Sequence, residues 1–428
     1  MHQEIETLLI PLRNAPDGPY RASEGSVIEL ADGRLLNVYS HFTHGGHDHE
    51  VADIRGIVST TPRGDQWSEP FVIQKNDSRI TTMIASLVRL GTESMTALKA
   101  IQDGTGTADY LDGTQGGAIG LVYLKVQGQC HDQMFFRLSR DEGASWSKEV
   151  VINPVPGYKS MSPNNDVAIV VRGGRIIVPV AVGAGINSMS FVYFSDDEGL
   201  TWQRSVSEVV VPVKVGGRSI ASSSFGEPNI VELRDGRILM FGRTVTDRIW
   251  KSYSSDGGVT WSQAVPTDLA SSSSPVSLRR IPSTGDLLLI WNQVSGAESA
   301  SGWGRMRMSC AVSGDEGETW SHHRNLESID EVTHIEPPDT SETYDVLAGM
   351  HAIATRRQQA GERKPPDSRC YPHADTGHWH VDYPSLTFTR DNRAVITYGV
   401  YGGSEGFPFE QCGMKLRILP VEWFYGGE

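Results

Sequence analysis

Short apolar stretches alternate with tight polar turns along most of the chain. Residues 25–40 (GSVIELADGRLLNVYS) show the unit, which is an apolar stretch, an Asp-Gly turn and a second apolar stretch. The unit recurs at 229–243 (NIVELRDGRILMFGR), and a related apolar stretch follows a turn at 285–292 (GDLLLIWN). Short apolar stretches joined by Asp-Gly turns are typical of antiparallel β-hairpins. The pattern therefore predicts an all-β protein.

An eight-residue phrase, Ser-x-Asp-x-Gly-x-Ser/Thr-Trp, occurs four times among these hairpins. Its copies are SRDEGASW, SDDEGLTW, SSDGGVTW and SGDEGETW, beginning at residues 139, 195, 254 and 313. Their tryptophans are separated by 56, 59 and 59 residues and are Trp146, Trp202, Trp261 and Trp320. A degenerate fifth copy, STTPRGDQW, occupies 59–67. A fixed period of this size indicates one supersecondary unit repeated side by side.

Each position of the phrase suits a structural turn. The Asp can accept hydrogen bonds from backbone N–H groups a few residues ahead. The Gly supplies a positive φ that side chains resist. The Trp places a large apolar face where neighbouring units meet. We therefore interpret the phrase as structural.

The phrase resembles the Asp-box, or BNR repeat, of the sialidase superfamily. This resemblance implies a six-bladed β-propeller of four-stranded antiparallel blades, with each Asp-box on the face away from the active site. It extends from about residue 20 to about residue 398. We expect a single domain over 1–428, with an irregular insertion at about 321–381. We also expect the stretches 5–12 (IETLLIPL) and 414–425 (MKLRILPVEWFY) to complete one blade and close the ring.

Composition narrows the class of partner. The net charge of −14 argues against a general nucleic-acid surface, although a local basic cluster could still bind an anionic small substrate. The four cysteines show no CxxC spacing, so we interpret them as free thiols. No signal peptide and no membrane-length apolar stretch is visible, so we expect a cytoplasmic protein, or a secreted one if a leader has been removed. A homo-oligomer is left open.

The resemblance assigns substrate-binding and catalytic roles in the first blade. Tyr20-Arg21 resembles the Phe/Tyr-Arg-Ile-Pro signature, in which the arginine faces the ring axis, although Ile-Pro is replaced here. The following loop of sialidases carries an acid/base aspartate. Asp48 is our choice, and Asp53, at the start of the next strand, is the rival. His41 stands where many sialidases have a second sugar-contacting arginine.

The resemblance also implies a glutamate and two further arginines. Glu232 and Arg248 match the spacing of the glutamate that activates the nucleophile and of a carboxylate-binding arginine. Glu227, just before the same strand, is the alternative glutamate, and we favour Glu232. Arg305, eight residues before a box serine, is the third arginine, and Arg307, which shares its strand face by the period of two, is the fallback. Arg243 is another basic candidate, but we expect it to pack along its strand.

Tyr383, in the segment DYPSLTF, resembles the nucleophilic tyrosine of the superfamily. Three arginines converging on one point would bind a carboxylate through charge-assisted hydrogen bonds. A carboxylate nucleophile would be repelled by such a substrate, whereas a neutral tyrosine would not, provided that a glutamate takes its proton. Sialidases are among the known exceptions to the two-carboxylate pattern of glycosidases.

We therefore expect an exo-acting, retaining, sialidase-like glycoside hydrolase that needs no metal or organic cofactor. The alternatives are a propeller glycosidase for another acidic sugar, such as a 2-keto-3-deoxy acid or a uronate, and a non-catalytic carbohydrate-binding propeller. Imidazoles spaced as His44, His47 and His49 can bind zinc. We do not expect a metal there, because Gly45 and Gly46 make the loop flexible and no carboxylate-His motif accompanies it.

Overall fold

Hairpins of the predicted kind build the fold, a β-propeller whose sheets surround a common axis. The computed structural model describes residues 4–12, 20–46, 48–91, 117–128, 131–155, 158, 160–183, 187–215, 218–300, 304–328, 330–337, 380–401 and 412–427. Within these residues the strands form six antiparallel-based sheets, five of four strands and one of seven. The prediction of an all-β propeller with four-stranded blades is confirmed, with the third blade as the irregular one. No helix in this described part is long and apolar enough to cross a membrane.

The blades follow one another along the chain. The first strand, β1 (Ile5–Pro11), belongs to the last blade. Blade 1 consists of β2 (Arg21–Glu29), β3 (Leu35–Phe42), β4 (Ala52–Val58) and β5 (Phe71–Gln74). Blade 2 consists of β6 (Thr81–Arg89), β7 (Ile119–Val126), β8 (Gln133–Ser139) and β9 (Val150–Val151). Blade 3 consists of β10 (Met161–Pro163), β11 (Ile169–Val170), β12 (Ile176–Val182), β13 (Asn187–Ser195), β14 (Gln203–Arg204), β15 (Pro212–Val215) and β16 (Arg218–Ser224).

The second half of the ring is more regular. Blade 4 consists of β17 (Gly226–Glu232), β18 (Ile238–Arg243), β19 (Arg248–Ser254) and β20 (Val265–Ala270). Blade 5 consists of β21 (Ser277–Arg280), β22 (Leu287–Asn292), the short helix α1 (Gly296–Ala300), β23 (Arg307–Ser313) and β24 (Ser321–Ser328). Blade 6 consists of β25 (His380–Phe388), β26 (Arg393–Tyr401) and β27 (Gly413–Pro420), and a 3-10 helix (Val421–Tyr425) follows.

Both ends of the chain meet in blade 6. There β1 pairs with β27 in antiparallel register, from Ile5 opposite Ile418 to Pro11 opposite Gly413. The predicted closure of the ring by the two terminal strands is thus confirmed. The expected insertion at 321–381 starts too early, because residues 321–328 form the outer strand of blade 5. Residues 338–379 lie outside the described part of the chain.

The Asp-boxes form the tight turns that the sequence predicts. In the second full box, Ser195 Oγ donates to Asp197 Oδ1 at 2.8 Å and accepts from Gly199 N at 2.9 Å. Thr201 donates to the same carboxylate through its amide, at 2.8 Å, and its hydroxyl, at 2.6 Å. The other three full boxes repeat these bonds. The carboxylates of these aspartates therefore accept hydrogen bonds within their own turns, as a structural role requires.

Each box also packs against the preceding blade. Gly199 has a φ of 85°, and a Cβ there would lie 2.2 Å from the Phe136 ring of blade 2. Trp202 meets the same ring edge-on, with 5.5 Å between the centroids. In blade 5, Trp320 lies 6.0 Å from Phe241 of blade 4. Only glycine allows so close an approach with a positive φ, so the repeat maintains blade-to-blade packing.

A buried carboxylate joins the blades at the axis. Asp166 of blade 3 accepts hydrogen bonds from Ser26 Oγ of blade 1 at 2.7 Å and from Leu386 N of blade 6 at 2.9 Å. The guanidinium of Arg279 in blade 5 lies 3.3 Å from the same carboxylate. Ser26 Oγ in turn accepts from Leu87 N of blade 2 at 2.9 Å. The Asp166 side chain thus connects four blades directly, and Ser26 links a fifth to them.

Neighbouring amides complete this axial network. Asn165 Nδ2 donates to Gly25 O at 2.9 Å and to Tyr383 O at 3.3 Å. Blade 4 joins through Asn229, whose Oδ1 accepts from Arg279 at 3.3 Å. Burial raises the pKa of Asp166, while Arg279 and the hydrogen bonds oppose that rise. Asn165 and Asp166 therefore brace the ring, and the network lies directly beneath the backbone of Tyr383.

We predict that Asp166→Ala lowers the free energy of unfolding by about 3–5 kcal/mol, because it leaves Arg279 and two hydrogen-bond donors without their buried acceptor. Urea denaturation measures the change. Asp235→Ala is the control, since Asp235 pairs with Arg237 in an exposed turn and should cost at most about 1 kcal/mol. Equal effects of the two substitutions would contradict the axial role.

Candidate active site

Four inner strands carry a β-bulge at the same level of the ring. Their register shifts lie between residues 23 and 26, 83 and 85, 226 and 229, and 382 and 385. A residue with positive φ lies in each bulge: Glu24 at 53°, Ile84 at 62°, Glu227 at 40° and Tyr383 at 52°. Positive φ is uncommon outside glycine, and bulges re-aim side chains near functional sites. Three of these four residues carry chemistry.

The bulges lie at the end of the ring opposite the Asp-boxes. In an antiparallel blade the first and third strands run in the same direction. Each Asp-box follows a third strand, whereas each bulge lies near the beginning of a first strand. The candidate site therefore occupies the face away from the Asp-boxes, as the family resemblance implies.

Tyr383 contacts a glutamate of blade 4. Its hydroxyl donates to Glu227 Oε1 at 3.1 Å, and the tyrosine itself is 8% exposed. The two residues are 156 positions apart in sequence. Closure of the ring brings them together, and Glu227 is placed to accept the phenolic proton. The alternative glutamate of the sequence analysis is therefore the one that meets Tyr383.

The favoured glutamate, Glu232, was the wrong choice for this pairing. It lies at the far end of β17, on the Asp-box side, where its carboxylate accepts from Arg172 N and Nε, each at 2.9 Å. The equivalent residue of blade 1, Glu29, accepts from Arg390 N at 2.9 Å and Nε at 3.2 Å. Each of these glutamates therefore links its own blade to the preceding blade of the ring. Glu232 also lines a small cavity on that side of the ring.

A sequence signal could have revealed this. The pattern Val/Ile-x-Glu-Leu-x-Asp-Gly-Arg occurs at 27–34 and again at 230–237. The glutamate inside this pattern is followed within three residues by the Asp-Gly turn, so it lies at the Asp-box end of its strand. Glu227 lies three residues before the pattern, as Glu24 does in blade 1, and therefore occupies the opposite end of the strand.

Two arginines flank the tyrosine. Arg243 Nη1 donates to Glu227 Oε2 at 2.5 Å. Burial lowers the pKa of Arg243, but the charge and the hydrogen bond of Glu227, together with the neighbouring Tyr383, leave that pKa raised. Arg305 lies over the Tyr383 ring, 5.4 Å from its centroid, and its Nη1 donates to the buried Asp382 at 2.5 Å. Arg305 was predicted for this place, whereas Arg243, which lies 16 residues after Glu227, was expected only to pack along its strand.

Arg248 takes a different position. It begins β19, the third strand of blade 4, and its guanidinium lies 3.9 Å from Asp268 on the adjacent outer strand. Arg243, rather than Arg248, is therefore the blade 4 arginine that contacts the glutamate beside Tyr383, because the glutamate from which the spacing was counted was the wrong one. The fallback Arg307 binds Glu298 at 3.0 Å and Asp330 at 2.6 Å, which ties it to the periphery of blade 5.

Arg21 is buried at the other side of the site. Its Nη1 donates to Asp48 Oδ1 at 2.5 Å, its Nε donates to Ser23 Oγ at 2.7 Å, and its Nη2 donates to Glu24 Oε1. The guanidinium also lies 4.6 Å from the centroid of the Phe42 ring. Arg21 thus occupies the axial position expected of it, and the structure adds Glu24, which the sequence analysis did not consider.

The two acids on Arg21 differ in environment. Burial raises the pKa of Glu24 to about 7 against the opposing charge of Arg21. For Asp48, partial desolvation raises the pKa, but the charge and hydrogen bond of Arg21 more than compensate and hold it below its usual range. The rival Asp53 instead accepts from Asn76 N at 2.7 Å, between blades 1 and 2.

The His41 side chain points away from the group formed by Arg21, Glu24 and Asp48. On β3, Ser40 faces Glu24 and donates to it at 3.2 Å, so the adjacent His41 must face the other side of the blade. There its ring lies 6.0 Å from the Tyr39 ring, and burial lowers the pKa of His41 to about 4. The expected contact of His41 with the sugar is therefore not supported. Of the three loop histidines, His47 lies outside the described residues, and the remaining described chain holds no cluster of three metal-ligand side chains.

Comparison with known proteins identifies the family of the chain. The model of the BNR repeat-like domain family matches residues 33–396. The chain belongs to this family. A curated anhydrosialidase from Macrobdella decora is 31% identical over 143 residues, which is 30% of this chain and 16% of that protein. A xyloglucanase from Paenibacillus sp. is 39% identical over 90 residues, which is 20% of this chain and 8% of that protein. The match therefore spans less than a fifth of either relative.

Solved structures show the same BNR-type propeller. A protein of unknown function from Dyadobacter fermentans has a TM-score of 0.57 at 16% identity, with 98% of this chain and 99% of that one covered. Trypanosoma rangeli sialidase has a TM-score of 0.60 at 12% identity, with 97% and 59% covered. At these identities the likeness establishes the fold.

We predict that Glu232→Gln lowers the free energy of unfolding by about 1.5–3 kcal/mol, because it weakens the charged hydrogen bonds to Arg172. Glu198→Gln is the matched control. It alters an ion pair with Arg140 that is exposed on both sides, so it should change stability by less than about 1 kcal/mol. If urea denaturation showed that Glu232→Gln changes the free energy of unfolding as little as the control does, the assignment of Glu232 as a link between blades would be wrong.

Proposed function

We propose that this protein is an exo-acting glycoside hydrolase that releases a terminal sialic acid, or a related acidic 2-keto sugar, with retention of configuration. The observation that carries the proposal is the hydrogen bond from Tyr383 to Glu227, set between Arg243 and Arg305. A phenol beside an acid that can take its proton, among guanidinium groups, matches the needs of an anionic substrate.

The first half of the reaction forms a tyrosyl intermediate. Tyr383 Oη transfers its proton to Glu227 and bonds to the anomeric carbon. The bond from that carbon to the leaving oxygen breaks, and Asp48 protonates the departing oxygen. A free phenol has a pKa near 10, so the proton acceptor and the neighbouring positive charges are both required. A carboxylate nucleophile would instead repel the substrate's own carboxylate.

The second half releases the sugar. Asp48, now ionised, takes a proton from water as the water oxygen attacks the anomeric carbon. The bond to Tyr383 breaks, and the phenolate recovers its proton from Glu227. Two displacements on opposite faces give net retention. All of these groups belong to the chain.

The position of Asp48 suits a role that changes during binding. In the empty pocket Arg21 holds the pKa of Asp48 low, which favours the ionised form. A substrate carboxylate that takes over Arg21 would remove this stabilisation and let the pKa of Asp48 return towards the ordinary range of an aspartate. Asp48 then stays mainly ionised at neutral pH, and its protonated fraction serves as the acid. Its side chain is 53% exposed on a loop, so it is free to turn towards the leaving group.

The proposed reaction has more support from the pocket residues than the identity of the sugar has. His41, which replaces an expected sugar-contacting arginine, faces away from the pocket. This observation keeps another acidic sugar, such as a 2-keto-3-deoxy acid or a uronate, as the second candidate substrate.

We predict that Tyr383→Phe and Glu227→Gln each lower turnover of an activated aryl sialoside by at least about 10²-fold, since each removes one member of the nucleophile pair. Glu232→Gln is the control on the same strand and should keep turnover within a few-fold of the parent. Both pocket variants should still bind a 2,3-dehydrated sialic acid analogue. Initial rates and calorimetry measure the two effects.

A trapping experiment identifies the nucleophile directly. Trypanosoma rangeli sialidase has been solved as a covalent intermediate with 2,3-difluorosialic acid. The same reagent should label Tyr383 of the parent protein, as found by peptide mapping. A label on Asp48 or Glu227, or full activity of Tyr383→Phe, would refute the tyrosine mechanism.

A further inference from the structure

The arginines of the site are already compensated by carboxylates of the chain. Arg243 pairs with Glu227 at 2.5 Å, and Arg305 pairs with Asp382 at 2.5 Å. Arg21 contacts two more carboxylates, Glu24 and Asp48. Three guanidinium groups therefore face four carboxylates. If all seven groups are ionised, the cluster carries a net negative charge before any acidic sugar enters.

The donors of Arg21 show where an incoming acid must compete. Nε donates to Ser23, Nη1 donates to Asp48 at 2.5 Å and to Gly46 O at 3.4 Å, and Nη2 donates to Glu24. At least four of its five N–H groups are thus engaged within the chain. A second anion can form paired hydrogen bonds with Arg21 only if one of the carboxylates already bound to Arg21 moves away or loses its charge.

The two carboxylates that contact Arg21 differ in how easily they can move away from it. Asp48 is 53% exposed on a loop and can swing away. Glu24 is 3% exposed, belongs to the bulge of β2 and accepts from Ser40 Oγ, which is itself fixed as the acceptor of Ile84 N at 2.7 Å. Glu24 cannot leave, so it can lose its negative charge only by taking up a proton.

We propose that Glu24 is a specificity-determining residue that competes with the substrate's acidic group for Arg21 and takes up a proton when that group binds. This inference rests on the proposed function, because it concerns an acidic sugar in the same pocket. Glu24 acts through Arg21 and is a positioning residue, not a catalytic one.

The surroundings of Glu24 support proton uptake near neutral pH. Burial raises the pKa of Glu24 to about 7, with Arg21 opposing and the charges of Asp48 and Asp382 adding to the rise. These groups face it from its own strand, from the loop after β3 and from β25. From β26, Tyr401 also lies within electrostatic reach, and from β3 Ser40 donates a hydrogen bond. A substrate carboxylate would add another negative charge and raise the pKa of Glu24 further.

The sign of the pH dependence follows from linkage. Below about pH 7 Glu24 is already protonated, so the affinity for an acidic ligand should not change with pH. Above the pKa of the free protein, binding requires uptake of one proton, so affinity should fall by about tenfold for each pH unit. This dependence continues until the pKa of the bound form is reached.

The test measures the dissociation constant of a 2,3-dehydrated sialic acid analogue between pH 5.5 and about 8.5, for the full chain. The parent should show a plateau and then about tenfold weakening per unit. Glu24→Gln keeps the size and hydrogen-bonding oxygen but cannot titrate, so its affinity should stay flat and exceed that of the parent about tenfold or more at pH 8.5. Asp32→Asn is the control. It removes a carboxylate from an exposed turn of the same blade and should retain the parent's pH profile.

Calorimetry of the parent protein in two buffers of different ionisation enthalpy provides a test that does not depend on the folding of a variant. At pH 8 the parent should take up close to one proton per ligand, and Glu24→Gln close to none. If the analogue binds the parent with a flat profile, or if Glu24→Gln still takes up the proton, the inference about Glu24 is refuted while the proposed function stands. If the analogue binds none of the proteins at any pH, both are refuted.

Discussion

The buried contact of Asp166 with its neighbours is the constraint on which the rest of the structure depends. Six sheets arranged around an axis leave their inner strands with polar backbone and side-chain groups that water reaches poorly, and such groups must be satisfied within the protein. Asp166 accepts from Ser26 and Leu386 and lies against Arg279, which reaches Asn229 in turn. The ring is therefore held together at its centre as well as at the blade-to-blade surfaces.

This central brace explains how residues far apart in sequence come to share one pocket. Tyr383 and Glu227 belong to blades 6 and 4, and Arg305 reaches the tyrosine from blade 5. The bulges of four inner strands each turn one side chain towards the axis just above the brace, and Asn165 Nδ2 donates directly to the Tyr383 carbonyl. Strain at the bulges is thus supported by the network beneath them.

The sequence predicted the scaffold well because the scaffold repeats. The Asp-box recurs with nearly constant spacing, so its turns, its blade-to-blade packing and the closure by terminal strands could all be predicted. Arg21, Asp48, Arg305 and Tyr383 were found by family resemblance, and the structure places them in one group. Their catalytic and binding roles remain predictions.

The errors arose where a repeated residue was taken for a functional one. Glu232 has a counterpart in Glu29 and serves the same structural purpose, whereas the glutamate next to Tyr383 lies in a bulge that no hydropathy pattern reveals. Choosing Glu232 then shifted the expected arginine from Arg243 to Arg248. The direction of His41 depends on which face of β3 is turned towards the pocket, and this follows from the pairing of β3 with β2 and β4, which the local sequence does not give.

The most direct test of the account is a crystal structure of the protein with a 2,3-dehydrated sialic acid analogue. The account predicts that the carboxylate of the analogue binds between Arg21, Arg243 and Arg305, and that its C2 atom lies about 3–3.5 Å from Tyr383 Oη. It also predicts that Asp48 turns from Arg21 towards the leaving-group side. An analogue bound at Arg248, or in the cavity beside Glu232 on the Asp-box face, would contradict it.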